Sequence, residues 1–174
     1  MSIPNIITLI RIVLIPWFAI LLINGSFNQA LWVFAAAAVS DGLDGLIARW
    51  FSQKTLLGSF LDPIADKMLL STAYVALAVL KEIPVWLSVI VISRDVVIVL
   101  GVSLLFLNQV RFEIKPTAIS KMTTIFQLLL VLMILSSGYI HFGVWLRQGL
   151  VLATLIFTIL SGLHYIYSGL KILT

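Results

Sequence analysis

A chain of 174 residues that is 61% hydrophobic and only 10% charged, with a mean hydropathy of +1.17, falls outside the range of soluble globular domains and is composed for a lipid solvent. Its net charge of +4 is spread over short connections between apolar segments instead of being gathered in a patch, which argues against a nucleic-acid partner and for membrane topology. Cysteine is absent, so disulfides and thiolate metal sites are excluded, and any metal must be held by oxygen or histidine.

The first apolar segment, 5–23, carries Arg11 and lacks the short hydrophobic region and small-residue cleavage site of a signal peptide, so it is expected to be a retained span. Five more follow at 30–50, 61–80, 83–107, 117–136 and 142–170. Each matches the roughly twenty helical residues needed to cross a hydrocarbon core of about 30 Å. The expected fold is an all-α integral membrane protein with six transmembrane helices. The connections are short, with Asn24-Gly25-Ser26 in the first, Lys81-Glu82 in the third and Ser137-Gly138 in the fifth, so a single transmembrane domain over 1–174 is expected. Six spans bring both termini to one side, together with Arg49, Lys54, Arg111, Lys115, Lys121 and Lys171, against Lys81 and Arg147 on the other. The positive-inside rule makes the first side cytoplasmic.

The second and third segments hold the informative residues. They read Asp41-Gly-Leu-Asp44-Gly45-Leu-Ile-Ala48-Arg49, then eight residues to Gly58, three to Asp62 and three to Asp66. At about 100° per residue, Asp41, Asp44, Gly45 and Ala48 share one stripe of a helix, and Asp62 and Asp66 share a face of the next. A short basic connection makes these helices antiparallel neighbours, so four carboxylates can converge at the cytoplasmic end. One Asp at the centre of a span costs about 2.5–3.5 kcal/mol, and like charges also repel. Divalent cations remove both problems, and an all-carboxylate site suits Mg2+ or Mn2+. Two such ions would also clamp a pyrophosphate. Gly45 and Ala48 leave the stripe without bulk, and Arg49 is within reach of a phosphate. Taken singly, each has a plainer reading: Asp62-Pro63 as helix N-cap and first turn, Gly45 and Ala48 as helix-packing residues, and Asp41 as an ion-pair partner of Arg94. None of these explains the set.

The pattern D-x2-D-G-x2-A-R-x8-G-x3-D-x3-D, complete from Asp41 to Asp66, resembles the signature of the CDP-alcohol phosphatidyltransferases. That resemblance implies a CDP-alcohol phosphatidyltransferase fold, with Asp41, Asp44, Asp62 and Asp66 at a site for two metal ions. It implies Asp66 as the base for the acceptor hydroxyl, and Gly45, Ala48, Arg49 and Gly58 around the CDP moiety. The donor would be CDP-diacylglycerol, and the enzyme a homodimer. Pro4-Asn5-Ile-Ile-Thr8-Leu-Ile-Arg11 is similar to the family's first helix, in which polar residues face the nucleotide cleft, so Thr8 joins the CDP-binding set. Arg11 is either part of that face or a snorkelling anchor.

Two later segments bear on the acceptor. Arg94-Asp95 lies in the fourth span, where a charged pair requires a polar setting, and adjacent helix residues project about 100° apart, so Arg94 is expected to meet a phosphate or an aspartate instead of simply pairing with its neighbour. Along Lys115-Pro116-Thr-Ala-Ile-Ser120-Lys121-Met122-Thr123-Thr-Ile-Phe-Gln127, Pro116 opens the fifth helix, and Ser120, Thr123 and Gln127 recur at helical spacing. That stripe should face protein, as interhelical hydrogen bonding or as an anion pocket with Arg94, Lys115 and Lys121. Both segments resemble the eukaryotic-type cardiolipin synthases, which implies phosphatidylglycerol as acceptor. The related phosphatidylglycerophosphate synthases, which use glycerol 3-phosphate, carry an Arg-Glu where this chain has Gly101-Val102-Ser103. Met122-Thr123 departs from the cardiolipin-synthase pattern.

An ion transporter is the main alternative for membrane carboxylates, but it requires polar residues continuing to the far side. Here the second segment reads Leu31-Trp-Val-Phe-Ala-Ala-Ala-Ala-Val before the aspartates, and the fifth ends in an unbroken apolar run. The site is therefore expected to be closed on the outer side. His141 and His164 are read as structural.

Overall fold

In the computed structural model, the backbone is described for residues 3–50, 56–107 and 118–173, and the side chains for 10–40, 67–101 and 118–168. Six α-helices succeed one another: α1 (Ile3–Ile23), α2 (Phe27–Trp50), α3 (Leu56–Val79), α4 (Val85–Leu107), α5 (Ala118–Leu135) and α6 (Val144–Leu173). A 3-10 turn, Ser136–Gly138, follows α5. No strand occurs among the described residues. The six expected helices are all present, with ends moved by a few residues. The largest shift is at α3, which starts at Leu56, so Asp62-Pro63 lies about two turns inside the helix. The N-cap reading of that pair does not hold.

Two helices stop by the same device. After α1, the Ser26 N–H donates to the Leu21 carbonyl (2.9 Å) and the Gly25 N–H to that of Leu22 (2.9 Å), with Gly25 at φ 70°. After α3, the Glu82 N–H donates to Leu77 (2.9 Å) and the Lys81 N–H to Ala78 (3.1 Å), with Lys81 at φ 61°. Both are Schellman caps, which satisfy the last carbonyls through one left-handed residue. Glycine takes that conformation freely, whereas at Lys81 a side chain does so at a cost of roughly 1–2 kcal/mol.

The chain divides into two compact units, Met1–Glu82 with Leu135–Ile140, and Ile83–Ile134 with His141–Thr174. In the first, α1 packs on α2 and α3, and α2 also touches α3 and the 3-10 turn. Phe18, Leu22, Ala30, Phe34, Ala73, Tyr74 and Leu77 are fully buried, and the Phe18 and Phe34 rings lie 5.5 Å apart, tilted by 34°. Pro16 sits inside α1 and withholds the N–H that the Ile12 carbonyl would normally accept, a loss that helix neighbours make tolerable in membrane proteins. In the second unit α4 packs on α6, and Leu87, Val91, Leu130 and Val131 are buried alongside a set of hydroxyl and charged residues.

Among the described residues, two helices are long and apolar enough to cross a membrane, Ala118–Gly138 and Val144–Ser168. Ile10–Ile23, Phe27–Ser40 and Lys67–Val79 are shorter apolar helical stretches.

Candidate functional site

The helices deliver the aspartates in two pairs. Asp41 and Asp44 occupy adjacent turns of α2, Asp62 and Asp66 adjacent turns of α3, and these two helices are in contact. Gly45, Ala48 and Arg49 follow on α2, Gly58 opens α3, and Thr8 lies on α1. The side chains of all these residues lie outside the described ones. Among the described residues no group of three or more histidines and carboxylates could hold a metal. Four hard oxygen donors from two touching helices, in a chain with no thiol, fit Mg2+ or Mn2+ by donor chemistry.

Arg11 on α1 is 1% exposed and is engaged with its surroundings. A snorkelling side chain keeps its head in the aqueous layer. Burial inside the first unit argues against the snorkelling reading of Arg11.

In the second unit Arg94 is 8% exposed and anchored on several sides. Its Nη1 donates to Asp95 Oδ1 at 2.7 Å, forming a buried ion pair. Its Nη2 donates to Ser120 Oγ on α5 (2.7 Å) and to Ser161 Oγ on α6 (2.6 Å). The Tyr165 ring centroid lies 5.8 Å from the guanidinium carbon. The expectation that Arg94 would look past its neighbour is therefore corrected: the long side chain bends back across the 100° offset and pairs with Asp95. The reason is energetic, because an unpaired charge within an apolar helix costs more than the bend. Arg94 Nε is buried with no hydrogen-bond partner among the described residues, so its N–H is open to a further acceptor. Lys121, on α5, is exposed, and Lys115 lies outside the described residues.

The α5 stripe faces protein as expected, with Thr123 at 0% and Gln127 at 2% exposure. Thr123 Oγ1 lies 2.9 Å from both the Ile119 carbonyl of its own helix and the Phe157 carbonyl of α6, so one hydroxyl proton is shared between two acceptors. Thr154 of α6 donates to the Phe126 carbonyl of α5 (3.3 Å), and Gln127 Nε2 to Thr158 Oγ1 (3.4 Å). Phe126 stacks on Phe157 with centroids 4.7 Å apart. Thr123 and Gln127 thus serve interhelical bonding, while Ser120 faces the guanidinium. Sequence reading passed over their partners on α6. The signal was there: Thr154, Thr158, Ser161 and Tyr165 recur at three- and four-residue steps through an apolar helix, the same period that marks α5.

The aspartate signature lies on two touching helices of a fold that is helical, without strands, over its described residues. Residues 1–160 match the CDP-alcohol phosphatidyltransferase family, and the chain belongs to it. It is 42% identical over 146 residues to the cardiolipin synthase (CMP-forming) of Rattus norvegicus, covering 75% of this chain and 48% of that protein. It is also 32% identical over 179 residues to a Mycobacterium tuberculosis protein named "probable phosphatidylglycerophosphate synthase", covering 98% of this chain and 82% of the relative. A third relative, the CDP-diacylglycerol–glycerol-3-phosphate 3-phosphatidyltransferase of Pseudomonas fluorescens, is 43% identical over 104 residues, 56% of this chain and 53% of its own. The chain spans about half the length of the mammalian cardiolipin synthases it matches.

Proposed function

We propose that the chain is a metal-dependent phosphatidyltransferase that moves the phosphatidyl group of CDP-diacylglycerol to the glycerol hydroxyl of phosphatidylglycerol, giving cardiolipin and CMP. The observation that carries the transferase reading is the complete signature distributed over two contacting helices, α2 and α3, while the choice of acceptor rests on Arg94 and the segment 115–127. Asp66 takes the proton from the acceptor hydroxyl. The oxygen then forms a bond to the lipid-linked phosphorus, the bond from that phosphorus to the CMP oxygen breaks, and CMP leaves with the electron pair. Asp41, Asp44, Asp62 and Asp66 hold the metal, Mg2+ or Mn2+. Two such ions, when bound, supply charge neutralisation for the pyrophosphate and the leaving phosphate. Gly45 and Ala48 leave room for the nucleotide, with Thr8, Arg49 and Gly58 completing its surroundings. Arg94, Lys115 and Lys121 receive the acceptor's phosphate, a role supported at Arg94 by its unpartnered Nε. Such a buried donor costs about 1–3 kcal/mol until an acceptor meets it.

The same reading makes residues 1–174 one catalytic domain crossing the membrane six times, with both termini and the aspartates on the cytoplasmic side and two copies forming a homodimer. Hydropathy and the distribution of basic residues support the topology, and the family resemblance supports the dimer. Glycerol 3-phosphate is the second acceptor to consider, favoured by the Mycobacterium and Pseudomonas relatives. Purified protein with CDP-diacylglycerol and Mg2+ or Mn2+, offered each acceptor separately, should release CMP with phosphatidylglycerol. Release with glycerol 3-phosphate alone reassigns the acceptor. No release with any alcohol, together with an Asp66→Asn variant indistinguishable from wild type, rejects the transferase reading.

A further inference from the structure

We infer that Ser161 and Tyr165 of α6 are positioning residues for the acceptor's anionic phosphate, acting through Arg94. This rests on the reading of Arg94 as a phosphate ligand. An arginine side chain has four rotatable bonds, and on an apolar helix its guanidinium would sample many directions unless neighbours fixed it. Asp95 neutralises the charge from the same helix but does not by itself set its direction. The two serines do: Nη2 is held between Ser120 Oγ and Ser161 Oγ, on two different helices, at 2.7 and 2.6 Å. With both Nη2 protons given to serines, the guanidinium plane is fixed. The Tyr165 ring lies one turn of α6 beyond Ser161, 5.8 Å from the guanidinium carbon, where an aromatic face attracts a cation. Ser161 is fully buried. A Cβ at Gly162 would stand 3.5 Å from Arg94 Cγ, an ordinary contact, so α6 approaches Arg94 closely but leaves slack for one methyl group. What α6 contributes to acceptor binding is therefore chemical: one hydroxyl and one ring.

The test uses the purified full chain in lipid–detergent micelles with Mn2+, measuring KM for CDP-diacylglycerol and, in parallel, for phosphatidylglycerol and glycerol 3-phosphate. Ser161→Ala should raise the acceptor KM about threefold to tenfold, the weight of part of a charged hydrogen bond, with donor KM and kcat held within about twofold. Tyr165→Phe, which keeps the ring, should match wild type. Tyr165→Leu, which removes it, should raise the acceptor KM by roughly threefold. Gly162→Ala controls for packing and should leave the acceptor KM unchanged. Unchanged acceptor KM in both Ser161→Ala and Tyr165→Leu overturns the inference, as does an equal rise in both KM values with a lowered thermal midpoint, which assigns these residues to packing. If Ser161→Ala does not accumulate in the membrane, the Tyr165→Phe and Tyr165→Leu pair, at a half-buried position, decides alone. Arg94→Lys distinguishes the phosphate ligand from the residues that position it. An acceptor KM unaffected by Arg94→Lys rejects Arg94 as a phosphate ligand, whereas a raised value with wild-type behaviour on α6 rejects only the positioning role.

Discussion

The two units are built on opposite plans. In Met1–Glu82 the described interior is hydrocarbon and aromatic, from Phe18 and Leu22 through Phe34 to Tyr74 and Leu77, with Arg11 the one charged residue buried among the described ones. In Ile83–Ile134 with His141–Thr174 the interior holds Ser88, Arg94, Asp95, Thr123, Gln127, Thr154, Thr158 and Ser161. In lipid, apolar packing is driven by contact and shape, because the solvent is as apolar as the core. Hydroxyls and amides add direction, since each bond specifies which atoms meet and at what height. The first unit therefore sets the helix pair that carries the aspartates by shape complementarity. The second holds a guanidinium at a defined place by hydrogen bonds.

The largest difference between the units is expected in chemistry. Asp66→Asn on α3 should lower CMP release by about two to four orders of magnitude while leaving helicity by circular dichroism unchanged, and chelation of divalent metal should do the same reversibly. Activity surviving both treatments would separate the aspartates from the reaction. Packing is next: Phe18→Ala should destabilise the protein by about 2–4 kcal/mol in reversible unfolding, at the low end of core truncations because lipid solvates the exposed surface. Thr123→Val in the second unit should cost only about 0.6–1.5 kcal/mol, the scale of one interhelical hydrogen bond in a membrane. A larger loss at Thr123 than at Phe18 would invert the assignment of shape to one unit and direction to the other. The smallest effect is expected at Lys81→Gly, which relieves left-handed strain but adds freedom to the unfolded chain, for a net gain of roughly 0.5 kcal/mol in thermal unfolding.

Much of this was legible before any coordinates. Six hydrophobic segments yielded six helices, and among the described residues two of them are long and apolar enough to cross a membrane. The aspartate signature was legible because four carboxylates at fixed spacing in apolar helices have no inexpensive structural use. The start of α3 was misjudged, since Asp62-Pro63 carries a strong local cap signal while the backbone continues as helix from Leu56. Arg94 pairing with Asp95 was missed because side-chain projection angles describe Cβ directions, and a guanidinium reaches well beyond its Cβ. The periodicity of α6 marks a polar stripe through Ser161 and Tyr165, but their part at Arg94 depends on which helix faces that residue, a tertiary fact that periodicity does not contain.

The threonine bonds between α5 and α6 have one further consequence. Thr123 reaches the carbonyl of Phe157, and Thr154 reaches that of Phe126, so three steps along α5 correspond to three steps back along α6. Two pegs set this way resist both sliding and rolling, and a slip of one residue would lose both bonds together. The antiparallel alignment of the pair is thus written in the helices themselves and not in the turn that joins them. Leu135–Ile140 is released from the task of setting register, and those residues belong instead to the other unit, where the 3-10 turn lies on α2 with Gly138 against Asn28.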